Sequence, residues 1–232
     1  MKIILFSDIH ANLPALDAFF EDIEKHKPDA IYCLGDLVGY NVWPNEVIAE
    51  IRKRRIATIS GNHDTKAHQL RGDPAVKNYA YNLIGDDEMQ YLNSLPDHIR
   101  LVYQLNEKRL NILLVHGSPR RNNEYVLEDL DEAFVLELLE QAKADILFCA
   151  HSHKPYHRII KTEEGQKQII NTGSIGKPKD GNPEGGYIVF TINAKETTTE
   201  IIRFAYAIEI AVRGIEDSPL PNELATMLEE AY

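Results

Sequence analysis

Apolar residues in the first third of the chain fall into short blocks whose spacing alternates between two kinds of element. Residues 3–6 form a compact apolar run, which predicts a buried strand over 2–7. Leu16, Phe19, Phe20 and Ile23 then recur at i, i+3, i+4 and i+7, predicting an amphipathic helix over 13–26 with Asn12 as N-cap and Pro14 in its first turn. Lys27-Pro28-Asp29 stops it. A second strand is expected at 30–34, a second helix opened by Pro44 with Val47, Ile48 and Ile51 inward, and a third strand at 56–60. This β-α-β-α-β order predicts a parallel sheet with right-handed crossovers.

Residues 65–95 break the pattern. They are polar, carry Gly72, Pro74 and Gly85, and predict two or three short helices with no strand between them, a small insertion standing over the sheet edge. Strands resume at 98–105 and 109–115, joined by a hairpin through Asn106-Glu107-Lys108, and a helix at about 128–142 leads to a strand at 145–149. The rest reads as mostly antiparallel: 156–162, a Glu163-Glu164-Gly165 turn, 167–171, 186–192 and 198–204, then a helical tail from 206 divided by Pro219 and Pro221. The expectation is an α/β fold forming one domain over 1–232. Two facing mixed β-sheets make an αββα sandwich with outer helices, a βαβ-built sheet against a largely antiparallel one.

At 232 residues, 44% hydrophobic and 26% charged, the chain has the composition of a soluble globular domain with a full core. A net charge of −11 weighs against binding duplex nucleic acid, which needs clustered Lys and Arg. The strongest basic run, Arg52-Lys53-Arg54-Arg55, closes a predicted helix and complements its dipole. No apolar run approaches a membrane span, and the first residues are too short and too soon charged for a signal peptide, so no membrane partner is expected. Cys33 and Cys149 sit in apolar runs as isolated thiols, which suits a reduced, cytoplasmic protein. A homo-oligomer is compatible with all of this.

The chemistry lies in five short motifs, each ending a predicted strand: Asp8-Ile9-His10, Gly35-Asp36, Gly61-Asn62-His63-Asp64, His116-Gly117 and His151-Ser152-His153. Asp64 apart, they hold two carboxylates, one carboxamide and five imidazoles, enough for two metal ions with a histidine to spare. A single His-x-His dyad means little, because most histidines are surface or satisfied core residues. Five such motifs brought to the carboxyl edge of the sheets make a binuclear site the better reading. Two divalent ions about 3.5–4 Å apart repel, so one carboxylate must bridge them. Two carboxylates neutralise half of the ions' charge, leaving a positive pocket that favours phosphate. Mixed imidazole and oxygen donors suit Mn first, with Fe, Zn, Co or Ni as alternatives.

This ordered set resembles that of the calcineurin-like metallophosphoesterases, and is most similar to their small prokaryotic phosphodiesterase branch. The resemblance covers roughly 1–190 and extends to Asn171-Thr172-Gly173-Ser174 and Lys177-Pro178. It implies that Asp8, His10 and His153 hold one metal, that Asn62, His116 and His151 hold the other, and that Asp36 bridges them. It makes His63 the catalytic residue, contacting the phosphate and protonating the leaving oxygen. Ala150 stands where the family usually has Gly, a small change with no expected loss of metal. A larger departure is that Ser/Thr phosphatases of the superfamily carry GDxxDRG, whose second acid orients the histidine, whereas here the string is Gly35-Asp36-Leu37-Val38-Gly39-Tyr40. The partner of His63 is therefore open, with Asp64 a candidate.

The implied function is hydrolysis of a small phosphodiester by attack of a metal-bound hydroxide. The alternatives are a small-molecule phosphomonoesterase, a dinucleoside polyphosphate hydrolase, or a metal-free protein-binding scaffold, as a retromer subunit of the superfamily is. Arg120-Arg121 could steer a second phosphate or be a solvated turn. Tyr40 and Trp43 could stack a base or pack beneath the loop. His26, His68, His98 and His157 fall outside the motifs, and His68 alone has a route from the insertion to the cleft.

Overall fold

In a computed structural model of the protein, which describes residues 1–105, 108–163 and 165–232, two five-stranded sheets face each other with helices outside. The first sheet is built by β1 (Lys2–Phe6), α1 (Leu13–Ile23), β2 (Ala30–Cys33), α2 (Pro44–Lys53) and β3 (Ala57–Thr58). The strands β1, β2 and β3 run parallel, as the alternating pattern predicts. Three helices follow: α3 (Asn62–Leu70), α4 (Tyr79–Asn82) and α5 (Asp86–Ser94). The second sheet contains β4 (His98–Leu105), β5 (Lys108–Val115), β6 (Ile146–Cys149) behind α6 (Glu132–Gln141), β7 (Tyr156–Thr162) and β8 (Gly165–Asn171). Strands β9 (Gly185–Ile192) and β10 (Thr197–Phe204) precede α7 (Ile208–Glu216) and α8 (Glu223–Glu230).

The sheet orders are β10-β9-β1-β2-β3 and β4-β5-β6-β8-β7. The second sheet is not largely antiparallel. Its centre is the parallel trio β5, β6 and β8, flanked by antiparallel β4 and β7. The last two strands return instead to the first sheet, where β9 lies antiparallel to β1. Strand β9 carries apolar residues on both faces, as a central strand must. Each sheet thus contains a parallel trio, β1-β2-β3 in the first and β5-β6-β8 in the second, whose carboxyl ends carry the motifs.

Strand β1 shows how the pattern maps onto layers. Ile3 and Leu5 enter the core between the sheets with Ile112, Phe148, Ile170 and Phe190, whereas Ile4 and Phe6 pack outward against Leu16, Phe19 and Phe20 of α1. On the far side α6 covers the second sheet with Val135, Leu138 and Leu139. Trp43 packs in the cluster formed by α7 and α8, so its role is structural.

Several boundaries differ for local reasons. The helix expected at 128–142 begins at Glu132, because Arg158 takes the carbonyls of Glu128 and Leu130 and Asp131 caps the helix on the Phe134 amide at 3.1 Å. Helix α3 begins at Asn62, inside the third motif rather than after it. The 65–95 segment reaches the sheet edge through Tyr81 and packs on the helix layer through α5. Met89 and Leu92 of α5 join α2 in the helix layer, and Asn45 pins the turn before α5 by accepting from Gly85 N at 2.9 Å. The hairpin expected at 106–108 and the turn at 163–165 fall partly outside the described residues.

Phe148 is fully buried between the sheets, edge-on to Phe190 at 5.1 Å. Phe148→Ala is expected to lower unfolding free energy by about 3–5 kcal/mol in urea titrations. Ile159→Thr, at a half-exposed position on β7, should change it by less than about 0.5 kcal/mol. Equal effects would contradict the placement of the inter-sheet core.

Candidate metal centre

All seven proposed ligands converge at the carboxyl ends of the parallel strands. Asp8, His10, Asp36 and His153 offer ligand atoms within 4.8 Å of one another, and so do Asp36, His116 and His151, with Asp36 common to both sets. Asn62 joins the second set through Oδ1, 3.1 Å from His116 Nε2.

The backbone is bent to achieve this. Asp8, His10, Asp36, His151 and His153 all have positive φ, between 51° and 66°, in the left-handed region that non-glycine residues rarely occupy. Each such residue costs on the order of 1–3 kcal/mol, so the edge carries strain that the surrounding fold must hold. The glycines serve close approach as well as turning. A Cβ on Gly35 would come within 2.8 Å of Gly61 Cα, and one on Gly61 would strike the Asp36 carboxylate.

The donor pattern calls for cations. Nδ1 of His10 lies 3.0 Å from the Val38 carbonyl, Nδ1 of His116 2.8 Å from that of Leu34, and Nδ1 of His153 2.5 Å from that of Lys177. A carbonyl only accepts, so each Nδ1 carries the proton and each Nε2 presents a lone pair. Those lone pairs point at other acceptors. His10 Nε2 is 3.2 Å from His153 Nε2, and His116 Nε2 lies 3.3 Å from Asp36 Oδ2. Each carboxylate is also half satisfied. Asp8 Oδ2 accepts from Ser7 Oγ at 2.5 Å and His151 N at 3.3 Å, and Asp36 Oδ1 accepts from His63 N at 2.8 Å. Asp8 Oδ1 and Asp36 Oδ2 are buried without any aligned donor. Acceptors gathered this way repel one another unless positive charge lies between them, and the donor set therefore fits divalent metals.

The turn after β8 locks the edge. Ser174 Oγ donates to the Asp8 carbonyl at 2.7 Å, Thr172 Oγ1 meets Ser7 Oγ at 2.7 Å, and Gly176 N donates to the Asp8 carbonyl at 3.1 Å. Asp64 does not touch the His63 ring. Its Oδ2 accepts from Asp36 N at 2.8 Å and Gly61 N at 2.9 Å, and its Oδ1 from Leu37 N at 2.9 Å, so it ties the second motif to the third. The ring of His63 is met instead by Tyr81, whose Oη lies 2.5 Å from Nδ1. Nothing in the sequence marks Tyr81, a residue of the polar segment. Tyr125, stacked on His151 at 4.3 Å, is equally silent.

Of the weaker candidates, Tyr40 belongs to the site, its ring 4.7 Å from that of His10 and 4.9 Å from that of His63. Arg120 is paired with Glu124 at 2.5 Å, and both Arg120 and Arg121 line a cavity beside β5 that also reaches His116, His98 and Lys143. His26 bonds Tyr187 and His157 bonds Gln168, both structural contacts, and His68 lies exposed on α3.

A buried cluster of carboxylates and imidazoles at the carboxyl edge of a double-sheet sandwich is the architecture of a metallophosphoesterase. The family description "Calcineurin-like phosphoesterase superfamily domain" matches residues 1–195, and the chain belongs to that superfamily, whose members normally bind two divalent metals. An uncharacterized protein of Methanocaldococcus jannaschii is 31% identical, with 97% of this chain and 96% of that protein aligned. A probable metallophosphoesterase of Mycoplasma genitalium is 30% identical over 47% of this chain and 62% of its own length. The crystal structure of a metallophosphoesterase from Sphaerobacter thermophilus superimposes with a TM-score of 0.79 at 27% identity, covering 100% of this chain and 99% of that one. A hypothetical protein of Pyrococcus horikoshii shares the fold, with a TM-score of 0.80 at 22% identity over 98% and 97% of the two chains.

Protons compete for the metal positions. Burial disfavours a second proton on His116, but the Asp36 carboxylate outweighs it and lifts the pKa to about 9. Adding Mn²⁺ to chelator-stripped protein at pH 7 should therefore release protons into weakly buffered solution, and affinity should rise as pH rises from 6 towards 9. Binding that is independent of pH over this range would contradict the site.

Proposed function

We propose that the chain is a binuclear metal-dependent hydrolase of a small phosphodiester, acting in the cytoplasm. The observation that carries this reading is the division of labour among the five motif histidines. His10, His116, His151 and His153 fall in the two acceptor sets, whereas His63 belongs to neither and lies beside both. Asp8, His10 and His153 would hold one ion, Asn62, His116 and His151 the other, and Asp36 would bridge them. Mn²⁺ suits the mixed donors, with Fe, Zn, Co or Ni as alternatives. Bound there, two ions supply Lewis acidity towards phosphoryl oxygens and lower the pKa of water.

The protein's own residues do the rest. His63 donates a proton to the leaving oxygen as its bond to phosphorus breaks. Its amide on Asp36 Oδ1 fixes the ring's base to the shared carboxylate, so acid and metals stay in register. Burial lowers the pKa of Lys179, the Asp8 and Asp36 carboxylates oppose that shift, and its ammonium adds positive charge for an incoming anion. Gly39 and Tyr40 stand where superfamily phosphatases carry an acid and an Arg, so the guanidinium clamp for a dianionic monoester is missing. A diester, with two non-bridging oxygens and one negative charge, needs no such clamp. The free buried thiols Cys33 and Cys149 support a reducing compartment.

With Mn-loaded protein, kcat/KM should be higher for bis-nitrophenyl phosphate than for mononitrophenyl phosphate, with negligible turnover of phosphoseryl protein or duplex DNA. A monoester preference across several leaving groups would instead favour a small-molecule phosphatase. No turnover of any ester by fully metallated protein would favour the scaffold. His63→Ala should keep metal content while lowering kcat roughly 10²–10⁴-fold for basic leaving groups. Loss of a metal ion would make His63 a ligand and overturn its assignment.

A further inference from the structure

The geometry points to Tyr81 as the positioning residue of His63, its phenol occupying the place that an acid holds in the superfamily's phosphatases. The role rests on the hydrolase reading above; the contact does not. Three observations support it. Tyr81 Oη lies 2.5 Å from His63 Nδ1, and the two rings are nearly parallel, at 11°. Tyr81 is itself fixed, almost wholly buried in the helix-layer core with Ile84, Met89 and Leu92. The third concerns Gly39, at the position of the phosphatase acid in Gly35-Asp36-Leu37-Val38-Gly39. A Cβ there would come within 2.8 Å of His63 Nδ1 and 3.1 Å of Tyr81 Oη. Gly39 has φ +96°, so any other side chain would also be strained. The position that could carry an acid has been emptied, and the hydroxyl of Tyr81 reaches the same nitrogen beside it.

The consequences are chemical. With Nδ1 engaged, Nε2 is the nitrogen left for substrate. Burial, then the charge of Asp36, pushes the Tyr81 phenol up, so it remains a neutral O–H at physiological pH. During hydrolysis water adds to phosphorus and gives its proton to solvent, and the bond to the leaving oxygen breaks with its electron pair on that oxygen. That oxygen takes the Nε2 proton, while the proton on Nδ1 stays in its bond to Tyr81 Oη throughout. A carboxylate partner would neutralise the imidazolium. The phenol does not, so when the ring is protonated, which burial disfavours, Tyr81 leaves its charge directed at the anionic phosphoryl group. Segment 65–95 then has a definite task, which is to deliver Tyr81 to the site.

Tyr81→Phe keeps the ring and removes only the hydroxyl. In the manganese-loaded full chain it should lower kcat roughly 10–100-fold for an alkyl leaving group, as loss of an outer partner of a functional histidine does. KM should change far less, and the loss should shrink for a nitrophenyl leaving group. In a His63→Ala background the same substitution should cause no further loss, because Tyr81 acts through His63. Equal losses on both leaving groups, or losses that multiply in the double variant, would overturn the proposal. A readout free of turnover is the ¹⁵N spectrum of ring-labelled histidines in zinc-loaded protein. The His63 resonances, assigned by their absence in His63→Ala, should show one tautomer in the wild type and a changed tautomer balance in Tyr81→Phe. Unchanged resonances would overturn the contact. A wild type inert towards every ester would sink the hydrolase reading, and the spectra would still decide whether Tyr81 holds the ring.

Discussion

Lone pairs facing lone pairs are the constraint on which the rest of the molecule depends. Three backbone carbonyls, those of Leu34, Val38 and Lys177, each take the Nδ1 proton of a histidine and thereby turn its Nε2 lone pair inward. Two carboxylates each spend one oxygen on the protein's own donors and leave the other bare. Packing acceptors into a buried space is unfavourable by several kcal/mol per group unless a cation compensates. The architecture serves to hold that arrangement in place.

The sandwich suits this because each sheet contains a parallel trio of strands and both trios end on the same edge. Asp8, Asp36 and Asn62 follow β1, β2 and β3, while His116 and His151 follow β5 and β6. Five left-handed residues turn the side chains back across the edge, and the 171–177 turn stitches the sheets together through Ser7 and the Asp8 carbonyl. The strain sits where the ligands are, and apolar packing above and below keeps it from relaxing. Deeper in the helix layer, Tyr81 extends the same logic to the histidine that belongs to neither metal set.

Much of this was legible from residue pattern. Leu16, Phe19, Phe20 and Ile23 mark α1 because one helical face must be buried, and all five motifs fall at strand ends because parallel strands deliver polar side chains only there. The pairing of β9 with β1 was not legible, since two apolar strands of similar length can join either sheet and only three-dimensional closure decides. The start of α3 at Asn62 was hidden because Gly61 gives no side-chain cap; the signal was Asp64, three residues on, reaching back to the Gly61 amide. Asp64 as the partner of His63 was a plausible reading of adjacency. A carboxylate at the third position of a helix, however, points back at the first turn and its preceding loop. Tyr81 lies eighteen residues from His63 in a polar segment, and nothing local to either residue announces the contact.

The central claim is that two divalent cations complete this cluster, and metal stoichiometry tests it most directly. Elemental analysis of protein purified without chelator and reconstituted with Mn²⁺ should give two ions per chain. It should fall towards zero in Asp36→Asn, which damages both sites, and to about one in Asp8→Asn, which spares the second. Fewer than one ion per chain in the wild type, or two ions retained in Asp36→Asn, would contradict the account.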